Sequence, residues 1–374
     1  MRSNTLRLAP CLIAALQALW AQGPDARGSL KIDFPKDSPV AVASPLSADW
    51  GQSNAMARGG ALLLDLHTSL SLRNVSQRRI RGITLVVLAQ DVTPGGKGSV
   101  SVPSLDIAPN ETFPVRIDLR LLKPLGGEGA VVQVGLDGVL FDDLSFYGPN
   151  RLNSRRSMTV WELEAQRDRR YFKSILERAG AEALQKEVLA SLSREADRPR
   201  IGVQLVRGGR ATNYDADQDV RFAFLRFPDA PIEPMDGLAH IAGNEAHAPR
   251  IQIQNRSTRP VRFAEIGWIV QDQRGREYLA GTVPAELNLA PGQRTEILQN
   301  TALRFPQQTE IKGMTGFVTS VEYADGRFWI PSRAELASDG RLQRLLGPSP
   351  EEQRLVQIYR KRGLKALIEE LNRF

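Results

Sequence analysis

Short runs rich in Val, Leu and Ile, parted by Gly, Pro, Asn and Asp, fill most of this chain. Segments 60–73, 80–91, 99–105, 113–121, 130–136 and 139–146 have this form. So do 201–206, 220–227, 249–255, 261–271, 277–283, 293–299, 315–323 and 327–330. Apolar runs of this length, with partial alternation, predict strands that turn one face to a core. Two stretches follow a different period. Over 158–196, Trp161, Ala165, Phe172, Ile175, Leu176 and Ala179 recur at spacings near three and four; Gly180 then intervenes, and Leu184, Val188, Leu189 and Leu192 begin a second stripe. In the tail, Pro348 and Pro350 precede Glu351 and Glu352, which suit a helix N-terminus. Leu355, Ile358, Tyr359, Leu364, Leu367, Ile368 and Leu371 follow as another stripe. These helices are amphipathic, so each must cover an apolar surface, on its own β domain or on the other helical segment.

The pattern also repeats. At an offset of 181, Leu70-Ser71-Leu72-Arg73-Asn74 overlays Ile251-Gln252-Ile253-Gln254-Asn255. Ser76 meets Ser257, Arg78 meets Arg259, and Gln90-Asp91 meets Gln271-Asp272. Ile107-Ala108-Pro109 meets Leu289-Ala290-Pro291 one residue further on. Asp137-Gly138 and Asp325-Gly326 stand between apolar runs, which predicts two matching hairpins with type I′ turns. Ile175 to Gly180 overlays Ile358 to Gly363 at an offset of 183. A unit made of a β domain and a helical segment is therefore expected twice. The expected fold is mainly β with α. It comprises two duplicated immunoglobulin-like β-sandwich domains, each followed by an amphipathic helical segment. Over roughly 72–149 and 251–333 the strand pattern resembles generic bacterial extracytoplasmic immunoglobulin-like or fibronectin-like domains in tandem. That resemblance implies a sandwich and an extracytoplasmic setting, and it implies no site residue.

The N-terminus has its own pattern. Arg2 and Arg7 precede the apolar stretch Leu8–Trp20, and Ala21 and Gln22 flank a candidate cleavage point. This reads as a secretory signal, since a helix of that stretch rises only about 20 Å against a hydrocarbon layer of roughly 30 Å. The expected organisation is a signal peptide at 1–21, a β-sandwich at 22–150, a helical hairpin at 151–200, a second β-sandwich at 201–340 and a helical segment at 341–374. The protein is expected to be periplasmic or secreted, with no membrane span in its mature form. Cys11 is the only cysteine, so a mature chain would have neither a disulfide framework nor a thiol nucleophile.

The formal charge of +7, from 49 basic and 42 acidic residues, is unevenly placed. Residues 151–210 hold 14 basic against 8 acidic groups, and 341–374 hold 8 against 4. The positive excess thus belongs to the helical segments. It predicts a protein or anionic envelope-polymer partner at the basic helices. Export argues against nucleic acid.

Candidate chemistry is sparse. His67 falls on a strand. His240, Glu245 and His247 fall in an expected loop, 239–249, with no spacing that matches a metal-binding helix face. Asp215, Asp217 and Asp219 alternate, but Val220 stands where a calcium loop needs glycine and Arg226 where it needs Glu. The adjacent pairs Asp142-Asp143 and Glu351-Glu352 point different ways and make no acid/base couple. Asn74 with Ser76, and Asn255 with Ser257, are expected to build turns. Trp268 and Trp329 are expected in cores, and the loop residue Trp50 is the least constrained. No G-x-S-x-G, S-x-x-K, Walker or G-x-G-x-x-G motif occurs. No catalytic, cofactor-binding or metal residue is assigned, and no cofactor is expected. The expected function is an exported non-enzymatic binding or scaffolding protein of the cell envelope. The alternatives are a carbohydrate-binding or carbohydrate-processing protein and a periplasmic strand-capping chaperone.

Overall fold

The computed structural model describes residues 30–44, 53–90, 95–124, 132–196, 203–207, 218–298, 301–306 and 310–374. The chain is mainly β, with few helices. It divides into two compact units, Met1–Thr159 and Val160–Phe374. The expected signal stretch, Cys11, Trp50, Asp91, Asp215 and Asp217 lie outside the described residues.

The first unit contains β1 (Leu30–Asp33), β2 (Val40–Ser44), β3 (Asn54–Arg58), β4 (Ala61–Asn74), β5 (Ile80–Leu88), β6 (Lys97–Val102), β7 (Thr112–Pro124), β8 (Val132–Phe141) and β9 (Phe146–Tyr147). One sheet runs β1-β8-β5-β6, with β9 on β8. The other runs β2-β4-β3, with β7 along β4. Alternation places Leu64, Leu66, Leu70 and Leu72 of β4 and Val115 and Ile117 of β7 inward. They meet Ile83, Leu85 and Val87 of β5 and Val132 and Val134 of β8 in a single core, so the unit is sandwich-like. Almost all of β5 is buried, on both faces. Behind it, Met158 packs its sulfur against Thr84 Oγ1 at 3.6 Å.

The second unit begins inside α1 (Ser154–Ala196). It continues through β10 (Gln204–Arg207), β11 (Gln218–Arg221), β12 (Ala223–Phe224), β13 (Ile232–Ala242), β14 (Glu245–Asn255), β15 (Val261–Asp272), β16 (Glu277–Leu289), β17 (Arg294–Leu298), β18 (Thr301–Arg304), β19 (Ile311–Tyr323) and β20 (Phe328–Trp329). It ends in α2 (Arg333–Ser338), α3 (Gly340–Leu345) and α4 (Pro350–Leu371). Its sheets run β10-β18-β14-β13-β11 and β12-β19-β15-β16, with β17 on β14 and β20 on β19. They enclose a core around Trp268, Ile253, Ile266, Val270 and Val318.

Several local geometries occur in both units. The side chain of Asn74 is buried; its Nδ2 donates to Arg78 O at 2.8 Å and Ile107 O at 3.2 Å, while its Oδ1 accepts from Ser76 N and Oγ. Asn255 makes the same set with Arg259 O, Leu289 O and Ser257, at 2.8, 3.0, 2.9 and 2.7 Å. These side chains tie a strand end to two backbone carbonyls, so the Asn-x-Ser pair is a turn device. A short strand runs parallel to a long strand in one sheet of each unit, β1 on β8 and β12 on β19.

The hairpin matched from the Asp-Gly pairs needs correction. Asp137-Gly138 is not a turn but the middle of β8, paired to β5. Asp137 is fully buried and accepts from Arg151 N, Leu152 N and Ser154 Oγ, so it organises the entry to α1. A Cβ at Gly138 would lie 2.1 Å from the Phe146 ring. Close packing explains that glycine. The true turn is Phe141–Ser145, where Leu144 N donates to Phe141 O and Leu144 has φ +63°. It matches Tyr323–Arg327 at an offset of 182, with Gly326 at φ +81° in Leu144's place. Only one residue of each turn takes positive φ. Both are therefore type I turns with a bulge, and the expected type I′ does not occur.

The helices fold back on themselves. Gly180, at φ +81° and ψ −177°, splits α1, and Gly363, at φ +80° and ψ +179°, splits α4. This backbone region is open essentially to glycine alone. Arg354 bonds Glu370 across the second break. Phe172, Leu184 and Val188 of α1 share a core with Leu355, Val356, Leu367 and Leu371 of α4. The helical stripes thus cover one another within the second unit.

Candidate functional site

Charge is buried among these helices in two chains. In the first, Arg169 bonds Glu162 at 2.5 Å and Glu351 at 3.3 Å; Arg354 bonds Glu351 at 2.7 Å and Glu370 at 2.6 Å, and Arg373 bonds Glu370 at 3.1 Å. Glu351 is fully buried and Arg169 nearly so. In the second chain, Arg333 Nη1 meets Asp168 Oδ1 at 3.1 Å and Glu352 Oε2 at 3.0 Å. The Arg333 guanidinium also lies 4.2 Å from the Tyr171 ring centroid. Burial works against its charge, but bonds to Glu352 and Asp168 hold its pKa above the ordinary arginine value. Glu352 accepts from Ser191 Oγ at 2.5 Å, and its amide donates to Ser349 Oγ, which caps α4.

Beside the second chain lies a cavity of about 300 Å³. Glu164, Arg167 and Asp168 of α1 line it, with Phe317 and Thr319 of β19. Pro331, Arg333, Leu336 and Ala337 at α2, Leu342 and Leu346 around α3, and Pro348, Ser349 and Glu352 at the start of α4 complete the wall. Several of its donors are committed. Arg167 donates to Pro331 O at 3.1 Å and to Asp168 Oδ1 at 3.3 Å. Thr319 donates to Glu265 O. Gln343 donates to Ala337 O. The acceptors are less fully used. Asp168 is buried, with 1% of its side chain exposed, and its Oδ2 has no hydrogen-bond partner. Glu164 is partly buried, and burial pushes its carboxyl up to about 7, with Arg167 opposing the rise and Asp168 and Glu265 adding to it.

Among these charged residues the sequence singles out only Glu351 and Glu352, as helix-start residues and an adjacent pair. A signal was present nonetheless. Asp168 and Arg169 stand three and four residues after Ala165 and before Phe172, on the apolar stripe itself, where charge must be buried and paired.

The sequence-derived candidates lie elsewhere. His67 is on β4, half-exposed, with Nδ1 2.9 Å from Asp118. His240 and His247 are not in a loop; they face one another across the β13–β14 hairpin. His240 lies 3.2 Å from Asp219 and His247 3.3 Å from Glu245. No group of three or more His, Cys, Asp or Glu side chains among the described residues could hold a metal ion. Asp143 sits in the β8–β9 turn, accepting from Ser145 N and Oγ. Trp268 is buried in the core of its unit, and Trp329 is half-buried. No helix among the described residues is long and apolar enough to cross a membrane.

No family model matches the chain, and no curated protein matches it. Among solved structures, it is similar to a beta-glucosidase from Kluyveromyces marxianus at 8% identity and a TM-score of 0.16, over 70% of this chain and 45% of that one. It is similar to red sea bream transglutaminase at 9% identity and a TM-score of 0.10, over 74% of this chain and 31% of that one. The chain spans less than half the length of either, and similarity this low carries neither fold nor function.

Proposed function

We propose that this protein is an exported, non-enzymatic binding protein of the cell envelope, built from two copies of an immunoglobulin-like sandwich with a helical hairpin, and that the cavity beside Arg333 is its ligand site. The cavity carries the reading. It is concave and sets an apolar wall beside convergent polar and charged groups, which suits a small molecule with a polar head. Its chemistry favours binding over hydrolysis. Asp168 and Glu352 are committed to Arg333, and Ser349 caps a helix. That leaves Glu164 as the one carboxyl of the cavity outside an ion pair, where glycoside hydrolysis needs two working carboxyls. A thermal-shift screen of small molecules on the mature protein, beside an Ala337→Trp variant that fills the exposed wall, tests the reading. Ligands should raise the melting temperature of the wild type and leave the variant unmoved. Turnover of a glycan or peptide panel that disappears in Glu164→Gln would replace binding with catalysis.

One observation favours a second reading, strand capping. β7 pairs with β4 along all 13 of its residues, and its other edge carries no strand among the described residues. Such an edge can accept a partner strand. Slowed hydrogen exchange at the β7 amides on binding an extended peptide would support it, and unchanged exchange would remove it.

A further inference from the structure

We infer that the cavity beside Arg333 takes a primary alkylammonium group, with Glu164 as its anchor and Asp168 as the second acceptor; this inference rests on the reading of that cavity as a ligand site. The argument starts from unmet hydrogen bonds. A buried carboxylate oxygen without a partner calls for a ligand that brings a donor. Arg333 puts Nη1 and Nη2 on Asp168 and Glu352, and Arg167 puts Nε on Asp168 and Nη1 on Pro331 O. An anion entering here would face the carboxyl groups of Glu164, Asp168 and Glu352. Asp168 Oδ2 is buried without a hydrogen-bond partner, and Glu164 lines the same wall one helical turn earlier. With Glu164 ionised, the cavity holds three carboxylates against two guanidinium groups, so it is one charge short of neutral.

The remaining surface fits the body of such a ligand. Phe317, Leu336, Leu342 and Leu346 form an apolar wall that suits a short methylene chain. A volume of about 300 Å³ has room for an aliphatic amine of lysine size. A bare metal ion is the poorer match, because no metal-holding cluster exists among the described residues. The ammonium could come from a lysine side chain or from a free polyamine. The chemistry at Glu164 and Asp168 is the same for both.

Binding should also respond to pH. The charged groups around Glu164 are Arg167, Asp168 and Glu265, with Arg333 and Glu352 further along the wall. An ammonium pairs with the ionised form of Glu164, whose pKa is about 7. Affinity for an amine that stays charged should therefore fall about tenfold from pH 8 to pH 6.

The test is titration calorimetry of the mature protein with n-pentylamine, 1-pentanol and pentanoate, matched in length and differing in head group. Cadaverine and a capped Gly-Lys-Gly peptide then separate the two amine sources. The expected order places the amine at least tenfold above the alcohol at pH 8, with no measurable pentanoate binding. Glu164→Gln should erase the preference for amine over alcohol while leaving the far-UV spectrum unchanged. Asp168→Asn, should it fold, should weaken amine binding as well. Tighter binding of the alcohol or pentanoate, abolished by Ala337→Trp, would overturn the amine assignment and keep the cavity as a site. Binding of none of the probes would overturn both. Amine affinity unchanged in Glu164→Gln would also overturn the assignment.

Discussion

Replacing Glu164 with Gln should stabilise the protein in alkali and leave it unchanged in acid. In the unfolded chain this carboxyl titrates near 4.5, and in the folded chain near 7. Below pH 4 it is protonated in both states, and the substitution is neutral. As the pH rises through 4.5, the unfolded state loses this proton first. The folded state then holds more protons than the unfolded one, and stability falls until the folded group ionises near pH 7. The accumulated cost is roughly 3.5 kcal/mol, at about 1.4 kcal/mol for each pH unit between the two values. Glu164 is partly solvent-exposed, so that figure is an upper bound. Gln keeps the shape and cannot ionise. Urea unfolding followed by tryptophan fluorescence at pH 4, 5.5, 7 and 8.5 measures the difference. The Gln variant should gain nothing at pH 4 and about 2–3 kcal/mol at pH 8.5. A gap that stays constant across the series, or a wild type as stable as the variant at pH 8.5, would refute the argument from burial.

Other outcomes follow from single features. Gly180→Ala and Gly363→Ala should each cost about 1–3 kcal/mol, although no heavy atom lies within 4 Å of the added carbon, because the cost is in the backbone; urea midpoints would show it. Leu144→Gly should gain about 0.5–1 kcal/mol, since Leu144 holds the left-handed conformation that Gly326 supplies in the matching turn. Arg333→Met takes the shared guanidinium from two buried carboxylates, leaving Asp168 with Arg167 and Glu352 with Ser191, and should cost up to about 3–5 kcal/mol; adding Asp168→Asn and Glu352→Gln should restore part of that in the same unfolding assay. Arg360, Lys361, Arg362 and Lys365 are exposed on α4 around its break. If this patch holds an anionic envelope polymer, affinity should drop steeply between 50 and 500 mM salt, and a flat response would exclude that contact.

Much of the fold was legible because its signals are local. Strand alternation, the helical stripes and the Asn-x-Ser pairs depend on neighbours in sequence, so self-comparison located them. The hairpin assignment went astray at Asp137-Gly138 for a physical reason. The pair has the composition of a turn, but Asp137 is held by amides at 151 and 152, and Gly138 lies against Phe146. Those contacts form only after folding. Likewise, the loop expected around His240 proved to be two paired strands, because pairing partners outweigh a polar composition.

By itself the sequence determined a mainly β chain with two helical segments that break at glycine and carry surplus positive charge. Only the tertiary structure decided what that charge does. It joins Asp168, 165 residues away in sequence, to Arg333, and Arg333 to Glu352, leaving the exposed excess at the α4 break. It also decided that the helical stripes cover one another and leave a cavity with one more carboxyl than guanidinium. Carboxylates and guanidinium groups are anonymous along a chain. Their pairing, their burial and the proton held at Glu164 exist only once distant elements have closed around them.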